Sequence, residues 1–213
     1  MATKHQLQVR ALSDTVKAQE IEIARLKMET KEKDRRIEIA EKMATYDFLT
    51  GLLNKRGGNE VLEHHFSIMK RDASKKSNFA ILNLDLDRFS GVNNTYGHAM
   101  GDKVLQFFAG VLTGTLRNEH DVVIRVGGDE FIIILPECNL KQAETVKSKV
   151  KQALARNSFV DGKVKLSLRT SVGIAMARNE AGKLHHPLKK ILYMADKAMY
   201  EDKKVGEKLR LPK

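Results

Sequence analysis

With 213 residues the chain has room for one ordinary domain plus an extension, and 42% hydrophobic against 31% charged residues excludes a disordered polymer. Of the net charge of +11, an excess of 9 falls in residues 46–213 (28 basic, 19 acidic), scattered without aromatic clustering, which reads as solvated surface and gives no nucleic-acid partner. The lone Cys138 can form no internal disulfide, no apolar run nears the roughly 20 residues of a membrane helix, and a cytoplasmic setting without a membrane partner is expected.

From His5 to about Thr45 there is no Pro or Gly, and Val9, Val16, Ile23, Thr30 and Ile37 recur every seven residues. A second row, Leu12, Gln19, Leu26, Lys33 and Ala40, completes a weak coiled-coil seam, and Ile21 with Met28 offers a competing register. Residues 1–45 are therefore expected as an N-terminal helix forming a parallel homodimer. The alternative is an amphipathic helix packed on its own domain.

Thr50-Gly51 breaks this pattern and opens a globular domain over residues 46–213. Residues 54–73 are expected as a helix. Residues 78–87 follow as a strand, with Phe79, Ile81, Asn83, Asp85 and Asp87 on one face and Ala80, Leu82, Leu84 and Leu86 on the other. A helix over 101–116 precedes two short strands, 122–126 and 131–135, joined by Gly127-Gly128-Asp129-Glu130. Then come a helix over 139–157, a strand over 163–176, a helix over 187–203 and a short strand near 208–211. The alternation predicts an α+β fold, an antiparallel sheet carrying helices mainly on one face.

Asp85 and Asp87 end an apolar strand, and Asp129 and Glu130 sit at a hairpin tip that would pair beside it, so these four carboxylates are expected to converge. Close carboxylates repel, which is tolerable at a solvated rim or around a hard divalent cation such as Mg²⁺, the usual partner of nucleotide phosphates. The glycines at 127 and 128 would let a ligand approach the backbone closely. By itself, Gly-Gly-Asp-Glu is more often merely a good turn.

Arg125 to Phe131 (RVGGDEF) resembles the signature of the GGDEF family of diguanylate cyclases, and other blocks follow in that family's order. They are Asp47 to Arg56, Asp85 to Phe89, Gly97-His98 with Gly101-Asp102, Ser171 to Ala175, and Ala195 to Tyr200. The resemblance, over about residues 46–211, implies a palm-like domain of the nucleotidyl cyclase or ferredoxin-like kind. It implies an enzyme that condenses two GTP molecules into cyclic di-GMP, releasing pyrophosphate, at a site shared by two subunits. Asp85, Asp129, Glu130 and the carbonyl of Leu86 would hold Mg²⁺ or Mn²⁺, two ions per GTP, with Asp85, Asp129 and Glu130 catalytic. Asn93 and Asp102 would read guanine, and Phe89, Ser90, Gly128 and Lys203 would line the substrate.

The chain departs from the family pattern at several positions. Ser90 and Glu207 stand where the family usually has phosphate-binding cations, and Gly58 replaces an aromatic, which is expected to loosen local packing. The product-inhibition motif Arg-x-x-Asp aligns with Asn118 to Asp121, so this site, Asn118 with Asp121, is degenerate and weak or absent inhibition by cyclic di-GMP is expected. An inactive scaffold binding GTP or cyclic di-GMP is the alternative to an enzyme.

Overall fold

The structure is a computed structural model and describes residues 4–72, 77–117, 120–179, 181–184 and 187–208; the side chains of residues 4–11, 14, 18, 207 and 208 lie outside that description. Contacts divide the chain into two compact units, 1–43 and 44–213.

The described residues of the first unit lie in helix α1 (Lys4–Thr45). Ion pairs one turn apart, Glu29 with Lys33 at 2.8 Å and Glu38 with Lys42 at 2.9 Å, support it as a solvated helix. Leu12, Val16, Ile23, Leu26 and Ile37 are 49–66% exposed, so these members of the apolar rows are not buried within one chain. Ile21 and Met28 are also exposed, and Thr30 turns its hydroxyl onto the Leu26 carbonyl at 2.8 Å. The Val9 side chain lies outside the described residues.

In the second unit the elements run β1 (Leu53–Asn54), α2 (Lys55–Arg71), β2 (Phe79–Leu86), α3 (Phe89–Tyr96), α4 (His98–Thr115), β3 (Val122–Gly127) and β4 (Glu130–Pro136). Then follow α5 (Leu140–Arg156), β5 (Phe159–Asp161), β6 (Val164–Leu166), β7 (Thr170–Met176) and α6 (Leu188–Lys208). Five strands form one sheet in the order β1-β3-β4-β2-β7, antiparallel apart from the β1–β3 pair, and β5 with β6 makes a separate hairpin.

Helices cover both faces of the sheet rather than mainly one. Strand β2 explains this, because its first residues are apolar at both parities: a strand with two apolar faces must be covered twice. Ala80, Leu82, Leu84 and Leu86 join Phe131 and Ile133 beneath residues of α4 and α5 such as Phe108 and Val150. On the opposite face Phe79, Ile81 and Ile134 join Leu62 and Phe66 of α2 and Ile191 and Ala195 of α6.

Other expectations shift locally. The stretch read as one strand over 163–176 is two, β6 and β7, and β6 pairs back onto β5 through a turn at Gly162, whose φ of 57° suits glycine. Helix α3 was not expected. Lys208 ends α6, and the remainder of the strand expected near 208–211 lies outside the described residues.

Two glycines set helix positions. A Cβ on Gly173 of β7 would lie 2.1 Å from the Ala195 carbonyl oxygen and 2.1 Å from the Met199 nitrogen, so glycine alone lets α6 settle onto the sheet at that point. A Cβ on Gly58 would meet Ile124 side-chain atoms at 2.6 Å. This corrects the expectation of loosened packing: the missing side chain lets α2 approach β3 closely.

Candidate active site

The sheet face that carries Phe79 and Ile81 turns polar further along β2. Register places Asp85 of β2 opposite Glu130, the first residue of β4, and directly opposed residues project to the same face. Phe131 and Leu84 form the next pair and point into the core on the other side, which fixes the orientation of both acids. The hairpin turn brings Asp129 alongside: its carbonyl accepts from the Leu86 amide at 3.2 Å. Gly128 in that turn has φ 54°, a left-handed conformation that favours glycine.

The tip is tied down by a residue to which the motif reading gave no role. Arg125 donates through Nε and Nη2 to the Gly128 carbonyl at 3.1 and 2.9 Å, and through Nη1 to the Asp47 carboxylate at 2.9 Å. Asp47 in turn accepts from the Thr50 amide and hydroxyl at 2.9 and 2.6 Å. Burial pushes the Asp47 carboxyl up, but the hydrogen bonds of Thr50 and Arg125 outweigh it and hold the pKa below the usual value. An arginine three residues before a glycine turn was the available signal, though its distant partner was not legible.

Lys203 of α6 donates to Asp85 Oδ1 at 2.7 Å. Burial pulls the Lys203 pKa down, yet the hydrogen bond to Asp85 and the charges of Asp85, Asp129 and Asp87 more than offset it and raise it. Asp129 shifts upward through burial, with the Asp85 charge adding to the rise, against its own backbone hydrogen bond and the pull of Lys203 and Arg125. The acids thus hold more negative charge than one ammonium relieves.

The expected convergence of four carboxylates is not built. Among the described residues no three His, Cys, Asp or Glu side chains gather as a metal cluster. Asp87 is turned to β7, where its Oδ1 accepts the Ser171 hydroxyl at 2.6 Å, and Glu130 is exposed at the strand's start. What fits a divalent cation is the pair Asp85 and Asp129, whose charges repel across the β2–β4 junction, with Lys203 as a monovalent stand-in. The Leu86 side chain is buried, so this residue can offer a ligand only its backbone.

The remaining candidates lie on α3 and α4. Asn93 Oδ1 is buried without a hydrogen-bond partner, and it occupies the space beside Gly101, where a Cβ would come within 1.9 Å of it. Buried amide oxygens are normally paired, so this one is an unmet acceptor among the described residues. Asp102, the residue after Gly101, is exposed. Phe89 is buried in the core, which leaves only its backbone for a ligand, and Ser90 is exposed beside it. Between them and the acids, Arg88 adopts a left-handed φ of 61°, a strained conformation for a side-chain-bearing residue. Glu207 lies in α6 with its side chain outside the described residues.

Apart from this site, the Asp121 side chain is 1% exposed and is held by Arg117 through Nη2 at 2.6 Å and Nε at 3.1 Å. Asn118 lies outside the described residues.

Comparison with known proteins places this geometry. The family model described as diguanylate cyclase, GGDEF domain, matches residues 44–208. Diguanylate cyclase A of Treponema denticola is 33% identical over 165 residues, covering 77% of this chain and 43% of the relative. Diguanylate cyclase DgcZ of Escherichia coli is 34% identical over 160 residues, covering 75% of this chain and 50% of the relative. The chain thus spans half or less of the length of these curated relatives. Among solved structures, the diguanylate cyclase SiaD in complex with its activator SiaC from Pseudomonas aeruginosa is 28% identical with a TM-score of 0.69, covering 95% of this chain and 75% of that one. The coiled coil and GGDEF domain of DgcB from Caulobacter crescentus, at 22% identity and a TM-score of 0.76 over 89% of this chain and 96% of that one, shares the fold. A sheet that sets a Gly-Gly-Asp-Glu hairpin beside Asp85, matched by the family model over residues 44–208, makes the chain a member of the GGDEF-domain diguanylate cyclase family.

Proposed function

We propose that the protein condenses two GTP molecules into cyclic di-GMP and pyrophosphate, at a site completed by two copies of the chain. The observation that carries this reading is the pairing of Asp85 with Glu130 on one sheet face, with Asp129 in the adjoining turn and Lys203 donating to Asp85.

Asp85, Asp129 and the Leu86 carbonyl would hold divalent cations, Mg²⁺ or Mn²⁺, which when bound polarise the phosphates and lower the pKa of the attacking hydroxyl. Displaced from Asp85, the Lys203 ammonium is free to meet the phosphates. Glu130, exposed beside Asp85, accepts the proton of the 3′-hydroxyl as that oxygen attacks the α-phosphorus of the facing nucleotide and pyrophosphate leaves. Guanine N–H donors suit both the unpaired Asn93 oxygen and the Asp102 carboxylate, whereas adenine lacks that donor pair. Gly128 allows close approach at the tip.

Each chain carries one such set of acids, and closing the ring requires two nucleotides to attack one another. A parallel dimer through the exposed rows of α1 raises the effective concentration of the two half-sites. Asp121 is already neutralised by Arg117, which favours weak inhibition by the product. Submicromolar binding of cyclic di-GMP in calorimetry, lost on Asp121→Ala, would contradict this.

Incubation with GTP and Mg²⁺ should yield pyrophosphate and cyclic di-GMP. Glu130→Gln should abolish turnover and keep GTP binding. GTP binding without turnover in a verified dimer would instead establish the scaffold reading, which Ser90 and Glu207 favour. Deletion of residues 1–40 should lower specific activity at dilute enzyme, and a dilution-independent rate would refute the dimerising role.

A further inference from the structure

Phe48 is 95% exposed, more than any other large apolar side chain among the described residues. A single apolar residue in water is ordinary. What distinguishes Phe48 is the turn that presents it. The Asp47 amide donates to the Leu52 carbonyl at 2.8 Å, the Gly51 amide donates to the Asp47 carbonyl at 2.9 Å, and the Asp47 carboxylate is shared by Thr50 and Arg125. On either side of this turn, Leu49 and Leu52 pack into the core. The backbone beneath the ring is therefore already ordered, and covering the ring costs little further entropy.

The same globular unit carries a cleft of about 270 Å³ between α2 and α6, floored by the sheet. Apolar cavities of roughly 150 Å³ already hold a benzene ring. Leu62 and Ile81 are buried at its base, and Val126, Ile132 and Leu192 remain only partly covered around them. Gly58 adds no side chain to its wall. At the rim, Asn83 Nδ2 donates to Asp196 Oδ1 at 3.3 Å, and exposed Lys55 stands where an ammonium can meet an aromatic face. The cleft thus has the size, the apolar base and the cationic rim that suit one phenyl ring.

We propose that Phe48 docks two copies of the chain, its ring entering the α2–α6 cleft of a second copy while that copy's ring enters the cleft of the first. Ring and cleft lie on one chain and are both uncovered, so a two-fold contact uses each of them twice and closes at two copies. Asp85 follows Asn83 on the same face of β2, so the second copy arrives on the side of the sheet that carries the acids. The contact stands or falls separately from the reading of the acid junction as a GTP site.

The test is thiol cross-linking between two full chains that are co-expressed, one carrying Phe48→Cys and the other Asn59→Cys at the exposed rim of the cleft. A disulfide-linked dimer should form from the pair and from neither variant alone. Adding Phe48→Ala to the Asn59→Cys chain removes the remaining native ring and should lower the yield about tenfold, as loss of one buried phenyl implies. Linking of Phe48→Cys to itself as readily as to Asn59→Cys would put the ring at the two-fold axis and overturn the assignment. In a second measurement Phe48→Trp supplies the only tryptophan of the chain, whose emission should be blue-shifted and shielded from acrylamide. Water-like emission from a protein verified as a dimer would overturn the docking, and so would shielded emission without a link between chains, which means a ring folded onto its own chain. GTP turnover enters neither readout, so failure here leaves the catalytic reading untouched.

Discussion

The two faces of strand β2 obey the same alternation and end differently. One face, Ala80 to Leu86, is apolar throughout and buried along its whole length. The other begins with buried Phe79 and Ile81 and turns to Asn83 and Asp85, where the α2 and α6 side of the sheet gives way to the acid junction. The strand therefore spends one parity on stability alone and divides the other between core and chemistry. A functional group on a strand buried on one side can be precise without being enclosed.

The sharpest way to break this comparison is to substitute neighbours. Asp85→Asn should lower turnover by about 10²-fold or more, on the scale of losing one transition-state electrostatic partner, while the melting temperature changes little. Leu84→Ala, one residue away, should do the reverse, destabilising by about 2–5 kcal/mol with the per-folded-molecule rate kept. If both variants lost stability equally, the division of labour between the faces would not hold.

Gly173→Ala tests how the chemical face is assembled. Its Cβ would press on the α6 backbone, which no rotamer change relieves, so a cost of about 1–3 kcal/mol or more is expected in denaturant unfolding. Lifting α6 should also weaken the Lys203–Asp85 bond, read as a fall in the Lys203 pKa.

Acid provides a gentler probe. At Asp202 burial raises the pKa, but Lys151, the Val172 amide and Lys147 outweigh it and hold it below the usual value, as Thr50 and Arg125 do for Asp47. A depressed folded pKa contributes stability that is present above the unfolded pKa and lost as pH falls through the folded one. The protein should accordingly lose stability below the ordinary carboxylate range, and Asp202→Asn should flatten that decline. Asp129, raised by burial and by Asp85, works in the opposite sense, and its ionisation opposes folding as pH rises through the raised value. The smallest effect is expected at Arg88, where glycine relieves the left-handed φ and thermal unfolding should show no loss of stability.

Most of the sheet was legible because short apolar strands and the glycine hairpin carry local signals. Helix α3 was not, since Phe89 to Tyr96 holds Ser, Gly, two Asn and Thr, weak helix formers kept helical by packing on α4. The second helical layer was missed although β2 displayed apolar residues at both parities. At the site, the hairpin acids lying beside the end of β2 followed from alternation and the turn, whereas the register of Asp85 with Glu130 and the contact of Asp87 with Ser171, on β7 far along the chain, did not. The unsatisfied oxygen of Asn93 was equally hidden, because it needs Gly101 to make room.

Arg125 has a mechanical consequence. One rigid guanidinium clasps the carboxylate that shapes the 47–50 turn and the carbonyl next to the hairpin acid. The 47–50 turn and the tip of β3 and β4 are thereby joined directly, outside the apolar core. A single side chain therefore separates the 47–50 turn from the carbonyl that precedes Asp129.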